Sequence, residues 1–456
     1  MNAILAKLRG GSLTARIWRS SFLTVGGFGF SQVLRLASNL ILTRLLYPEA
    51  FGLMALISVF MMGLAMFSDV GVHPAIMQSK RGDDPDFLNT AWTIQVVRGF
   101  GLWLTACALA YPMALIYGDS RLFLFIPVAS FSLVIAGFDP TKMATANRHL
   151  NLGRVTLLDM VTQVAGIAFA VVFAYIYHSI WALVLSGIFS TLVQLVINTR
   201  YLPGANNRFH WEKAAAHELI HFGKWIFLST IAGFLIQQGD KIILGKYLIL
   251  KNFGIYNIAF FLASFPLMLG NMVTSKILIP IYRETPPKNS PANFAKLRKM
   301  RTLVTGALLV MVGVFALMGS WLIDMMYDER YADAGPMVTL IAVMQIPHII
   351  VLTYDQAALA AGDSKRFFVL AASRAFFTLA TLVIGLEIAG LLGGIVARGA
   401  SVLLVYPVVV WLSRKTGAWD KTHDALFALF GLLVGACALW IHWEDIGLLS
   451  HMGLGL

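Results

Sequence analysis

LILTRLLYPEAFGLM at residues 40–54 and IILGKYLILKNFGIY at residues 242–256 lie over one another at a constant offset of 202, which pairs Arg44 with Lys246, Phe51 with Phe253 and Gly52 with Gly254. Each stretch leaves a polar helical segment and opens an apolar one. At the same offset the polar set Arg35, Ser38 and Asn39 falls on Gln237, Asp240 and Lys241. Internal repeats in a membrane protein of this size place a polar site at their interface. The pattern predicts two six-helix lobes, 1–205 and 206–415, followed by an additional helix and tail at 416–456.

Outward from that pair, apolar runs recur along all 456 residues, which are 58% hydrophobic and 13% charged with a mean hydropathy of +0.75. Soluble domains average roughly 25% charged residues, so the composition excludes a soluble globular protein. A spanning helix needs about 20 mostly apolar residues. Such windows fall near 21–43, 50–70, 91–113, 121–141, 155–177, 179–199, 222–245, 253–279, 302–326, 335–360, 366–387, 390–412 and 425–443. The expected fold is an all-α integral membrane protein, two six-helix lobes related by pseudo-symmetry around a central cavity, plus about one extra C-terminal helix. Basic and then apolar, the first 43 residues show no small-x-small cleavage pattern, which favours an uncleaved first span over a secretory signal.

The net charge of +12 would suit a nucleic-acid binder, but its distribution describes topology instead. Of 35 basic residues, 24 lie in alternate gaps beginning with the N-terminus: Lys7 to Arg19, Lys80 and Arg81, Lys142 to Arg154, Arg200 to Lys224, Arg283 to Arg301, Lys365 and Arg366, and Arg414 to Lys421. The intervening gaps hold Arg44, Arg121, Lys246, Lys251 and Arg330. By the positive-inside rule the N-terminus and both longest loops are expected in the cytoplasm, and no nucleic acid is expected as partner. External gaps such as YPEAFG and YDERYADAG are too short for a catalytic domain. Cys107 and Cys437 lie in separate apolar runs, and no HExxH, P-loop or GxSxG pattern occurs. No metal, cofactor or enzymatic activity is expected.

Six basic residues remain after the gap tally: Arg35, Arg98, Lys241, Lys276, Arg374 and Arg398. Each costs roughly 2.5–3.5 kcal/mol at a helix centre on insertion scales, so such groups face a wet cavity or a counter-ion. Arg98, Lys276 and Lys241 are close enough to a helix end to snorkel, whereas Arg35 and Arg398 lie deeper. Gln32, Arg35 and Asn39 share one helix face, as do Gln237, Asp240 and Lys241. Asp159 with Gln163, and Gln345 with His348 and Asp355, form further one-sided polar sets. The six bases are the expected substrate-binding cations, and Gln32, Asn39, Gln237, Asp240, Asp159, Asp355 and His348 the expected polar lining or coupling groups. For each, interhelical hydrogen bonding within the bundle is the competing reading. Asp240 is the residue expected to relay a proton or to latch onto a base such as Arg35. Gly431 and Gly435 read as a helix-packing pair.

LTRLLYPEAFGLMALISVFMMGLAMFSDVGVHPAIMQ followed by DDPDFLNTAW resembles the start of the bacterial polysaccharide flippases, the lipid-linked oligosaccharide branch of the multidrug/oligosaccharidyl-lipid/polysaccharide exporter superfamily. QQGDKIILGKYLILKNFGIYNIAFFLASFPLML resembles its second-lobe counterpart, and YADAGPMVTLIAVMQ with ALAAGDSKRFF resembles the tenth helix and its exit. The resemblance covers about residues 20–415. It implies twelve core helices around a cavity through which a polyprenyl-diphosphate-linked oligosaccharide head passes, with membrane lipids around it and a polysaccharide polymerase as a candidate partner. Alternatives are a cation-coupled multidrug exporter of the same superfamily, whose cavity needs acids and aromatics for organic cations, and a membrane polysaccharide polymerase or ligase, which needs a large external loop.

Overall fold

The computed structural model describes residues 13–451 except 69–70, 150–151 and 361–362; side chains are described throughout that range apart from 13–25, 222–229 and several single positions, Lys276 among them. Every regular element among the described residues is a helix. In chain order these are α1 Leu13–Leu45, α2 Pro48–Phe67, α3 Val72–Gln78, α4 Pro85–Tyr117, α5 Arg121–Gly137, α6 Lys142–Arg148, α7 Leu152–Tyr177, α8 Trp181–Tyr201 and α9 Lys213–Tyr247. There follow α10 Leu250–Ala263, α11 Phe265–Val273, a π turn Thr274–Leu278, α12 Ile279–Glu284, α13 Pro291–Met326, α14 Ala334–Leu352, α15 Asp355–Ala360, α16 Ser364–Thr416, α17 Lys421–Ile441 and α18 Trp443–Gly447. Among the described residues, all thirteen apolar windows fall on mainly helical chain. Two are bent pairs: α5 meets α6 at 59° and α10 meets α11 at 45°.

The repeat shows in the helix boundaries. α1 ends at Leu45 and α9 at Tyr247, and α2 starts at Pro48 and α10 at Leu250, each 202 positions apart. The turns match as well, with Leu46 N–H donating to Leu42 O at 2.8 Å and Leu248 N–H to Leu244 O at 2.9 Å. The other boundaries follow local chemistry: Asp84 caps α4 ahead of Pro85, Ser290 caps α13 ahead of Pro291, and Asp420 caps α17. Each side chain accepts a backbone N–H that the helix itself leaves without a partner.

The chain forms two compact units, Met1–Ile231 and Ala232–Leu456. In the N-terminal unit α4 packs along α5 with their backbones nearly touching. A Cβ on Gly99 would lie 2.8 Å from Leu133 O, and one on Gly137 would lie 2.9 Å from Gln95 O. Small residues at such crossings let helices approach closely when lipid supplies no hydrophobic drive. The basic gaps gather at one end of this unit, where Arg81 meets Glu212 at 2.7 Å and Arg148 meets Asp83 at 3.1 Å. Tyr201, Phe209 and Trp211 stand exposed there, while Tyr175 and Tyr177 stand exposed at the far end of α7. Exposed aromatics at both ends of the spans suit the two membrane interfaces.

In the C-terminal unit α13, α14 and α17 enclose an apolar core of Val304, Leu308, Val312, Ile346, Ile349 and Phe427. α17 turns His423, Phe427, Gly431, Gly435 and Ala438 inward, and a Cβ on Gly431 would meet Ile346 at 2.4 Å, so the glycine pair is a packing seam. Leu426, Leu429, Leu432 and Leu433 cover its exposed outer side. Such a contiguous apolar face is stable against lipid rather than water.

α16 is two arms. Ala389 and Gly390 leave helical geometry, with Gly390 at φ 58, ψ −144, a conformation open only to glycine, and the 390–412 window is the returning arm.

Arg301, counted among the loop bases, sits inside α13 with 0% exposure. It donates to Ala418 O at 2.8 Å and Tyr282 Oη at 2.9 Å, and lies 4.1 Å over the Tyr354 ring. Helix α13 begins eleven residues before the apolar window at 302 because Ser290 and Pro291 start it there.

Candidate polar site in the C-terminal unit

Inside this unit two small adjoining cavities, about 90 and 80 Å³, share His348, Arg398 and Val402 in their walls. Five elements deliver the polar groups: α9 brings Asp240, α10 Tyr256 and Phe260, α14 His348, α15 Asp355, and the two arms of α16 bring Arg374 and Arg398. Asp240 is 3% exposed, and its Oδ2 lies 2.7 Å from an Arg398 terminal nitrogen. That same nitrogen donates to Tyr256 Oη at 3.0 Å, and the guanidinium stacks 4.6 Å from the centre of the Phe260 ring. Neither Asp240 oxygen receives a donor in hydrogen-bond geometry, so charge alone holds the carboxylate. Arg374 binds Asp355 through two parallel bonds of 2.8 Å, the planar fork against a carboxylate. Thr378 Oγ1 and Ser401 Oγ, 3.2 Å apart, tie the two arms beside these pairs.

The arrangement is two buried ion pairs flanking a histidine. Burying an ion pair costs about as much in desolvation as it returns, so its presence is a poor stabiliser. Its value lies in what it can exchange. Arg374 spends its fork on Asp355. Arg398 is 28% exposed and faces both cavities, with donors to offer an entering acceptor. Asp240 then has lone pairs for a proton or a water.

The structure therefore brings together Arg398, Arg374, Asp240, Asp355 and His348 from the sequence candidates. It gives Asp240 the partner Arg398, where the sequence had suggested Arg35. Lys241 is half-buried on α9, and Gln237 is exposed there. Lys276 lies in the π turn with its side chain outside the described residues. Gln345 reaches toward Ser264 Oγ at 3.5 Å.

In the N-terminal unit the candidates do not form one cluster. Arg98 donates to Ser68 Oγ at 2.9 Å and Ala65 O at 2.5 Å, closing the end of α2. Gln163 exchanges two hydrogen bonds with Ser31, at 2.6 and 3.1 Å, and so joins α7 to α1. Gln32 is buried, Asn39 half-buried, and Arg35 and Asp159 are exposed.

Sequence reasoning missed Tyr256 and Phe260. Their i, i+4 spacing and stacking, 5.9 Å between centroids, look like ordinary helix packing until the long-range partner Arg398 is placed.

Residues 41–336 match the family described as polysaccharide biosynthesis protein. The chain belongs to this family. It is a multi-pass membrane protein of which 73% aligns, at 24% identity over 339 residues, with 66% of the succinoglycan biosynthesis transport protein ExoT of Rhizobium meliloti (strain 1021). It is 21% identical over 376 residues to the lipopolysaccharide biosynthesis protein WzxC of Escherichia coli (strain K12), covering 79% of this chain and 73% of that one. The teichuronic acid biosynthesis protein TuaB of Bacillus subtilis (strain 168) is 19% identical over 306 residues, 66% and 62% of the two chains. The chain thus spans about two thirds of the length of these relatives. Among solved structures, the lipid II flippase MurJ in an inward closed conformation shares the fold at TM-score 0.68 and 12% identity, over 93% of this chain and 99% of that one. An inward-facing multidrug resistance MATE transporter of the MOP superfamily gives TM-score 0.60 at 14% identity, over 85% and 95%. At these identities the likeness concerns the all-α membrane fold alone.

Proposed function

We propose that this chain is a flippase that moves a polyprenyl-diphosphate-linked oligosaccharide from the cytoplasmic to the outer leaflet of a bacterial inner membrane by alternating access, for surface polysaccharide synthesis. The family match over residues 41–336 carries the reading, together with relatives whose names refer to succinoglycan, lipopolysaccharide and teichuronic acid biosynthesis. The cavity chemistry supports it. An anionic diphosphate head suits Arg398, whose planar fork matches phosphate oxygens in a low-dielectric wall, with Arg374, Arg35, Arg98, Lys241 and Lys276 as further candidates along the path. The prenyl tail stays in lipid. Gathering of basic gaps at one end of the N-terminal unit supports a cytoplasmic N-terminus. No covalent step is required of the protein, and a polysaccharide polymerase outside would consume the delivered repeat.

Deleting the gene tests the proposal. The expected result is loss of surface polysaccharide with accumulation of lipid-linked oligosaccharide in the cytoplasmic leaflet, restored by the wild-type chain. Unchanged polysaccharide and unchanged lipid-linked pools would overturn it. Altered drug susceptibility with normal polysaccharide would favour the multidrug exporter instead.

A further inference from the structure

The N-terminal unit holds a cavity that the flippase reading leaves unused. It is about 370 Å³, open on one side, and lies at the end of the unit where the basic gaps meet, between the start of α4, α6 and the 203–207 loop. That volume is within the range of small-molecule sites.

One wall is rigid without any ligand. Asn207 Oδ1 accepts the Thr141 N–H at 2.9 Å, and Asn207 Nδ2 donates to Thr141 Oγ1 at 3.0 Å and Leu88 O at 3.3 Å. Asn89 Oδ1 accepts the Arg208 N–H at 3.0 Å, pinning the same loop. Gly204 closes the rim at φ 127, where a Cβ would come within 3.4 Å of Lys142.

The lining is chemically mixed. Pro85, Leu88 and Pro203 offer apolar faces, and the exposed Asn206 amide has no hydrogen-bond partner among the described residues. Thr145 Oγ1 donates to Lys142 O and keeps acceptor capacity toward the cavity. The cations there are already engaged. Arg148 binds Ile76, Met77 and Ser79 carbonyls and Asp83, His149 also binds Asp83, and Lys142 Nζ donates to Thr199 O at 2.8 Å. Asp83 on the lining, paired with Arg148 and His149, keeps further lone pairs to accept a hydroxyl.

We propose that this cavity binds one pyranose ring of the oligosaccharide head, its C–H face on the proline and leucine wall and its hydroxyls on Asn206, Thr145 and Asp83. The proposal rests on the flippase reading and extends it: the cavity selects for sugar on the side where the lipid-linked substrate arrives, separately from any diphosphate contact.

Binding to the full chain in nanodiscs tests it. The probes are polyprenyl-diphosphate-linked oligosaccharide extracted from the host's membranes, bare polyprenyl diphosphate, and the free oligosaccharide released from the extract. Wild type should bind the glycosylated lipid at least tenfold more tightly than the bare one, and the free oligosaccharide should compete away that advantage. Ala205→Trp, which fills the cavity from an exposed loop position, should abolish the preference and leave bare-lipid affinity unchanged; Asn206→Ala should weaken it severalfold. Full preference in both variants would overturn the cavity while leaving the flippase reading intact. Failure of wild type to bind either lipid would overturn the flippase reading, and the sugar assignment with it. Binding of the free oligosaccharide but not of the glycosylated lipid would overturn the link between cavity and lipid-borne substrate.

Discussion

Arg398 touches Asp240, Tyr256 and Phe260 at once. Removing it strands a buried carboxylate, which costs far more than the pair contributes. Arg398→Ala should destabilise the chain by about 3–5 kcal/mol, read as thermal unfolding in detergent. Adding Asp240→Asn should recover much of that loss, because the stranded charge disappears. If the double variant were no more stable than Arg398→Ala, the 2.7 Å pair would not be the determining contact. Arg398→Lys keeps the charge but not the planar fork or the flat contact on Phe260, so export should fall partway at matched expression. The same pair frames the coupling question. Asp240→Asn that loses only its response to an imposed pH gradient would mark a proton relay, while loss of transport under all gradients would mark a latch with Arg398.

Elements here are held by close backbone approach and by caps. The two arms of α16 meet where a Cβ on Gly393 would lie 2.1 Å from Gly385 O, a backbone atom that cannot swing aside. Gly393→Ala should therefore cost about 1–3 kcal/mol through overpacking, whereas Gly101→Ala, with nothing within 4 Å, should cost none of that. Equal thermal stability of the two variants would rule out the close crossing. α4 depends on its cap instead. Arg81, then the Asp86 N–H, hold the Asp84 carboxyl below its ordinary 3.8. A carboxylate lowered in the folded state adds stability that is complete above the unfolded value and is lost as pH falls through the folded one. Asp84→Asn keeps a capping side chain, so it isolates the charge. The wild-type advantage should stay constant from pH 8 to about pH 5 and shrink only below 3.8; an advantage that already faded near neutrality would point to another group.

Across the whole molecule, what a bilayer dictates was legible in the sequence and what depends on distant partners was not. Apolar runs of spanning length were visible because lipid tolerates nothing shorter or more polar, and the 202-residue repeat was visible because it preserves Gly52 and Gly254 beside a helix break. Arg301 was not legible, since only Tyr282, Tyr354 and Ala418, reached through the fold, make its burial tolerable. Nor was the pairing of Asp240 with Arg398 or the cavity behind Asn207, each closed by residues far apart in sequence. Topology joins both kinds of information. Between Pro48 and Arg208 the chain runs through α2, α4, the bent α5–α6 pair, α7 and α8, five crossings, so the two positions must lie on opposite sides. If α9 crosses once and α10 to α12 together cross back once, Arg208 and Asn289 are expected on the same side, with Asp333 carried to the other by α13. The charge bias fixes the sign that parity leaves open: reporter fusions after Arg208 and Asn289 should behave as cytoplasmic, those after Pro48 and Asp333 as external. Disagreement between Arg208 and Asn289 would break the helix count itself, whereas a uniform reversal would keep the fold and overturn the orientation drawn from the basic gaps.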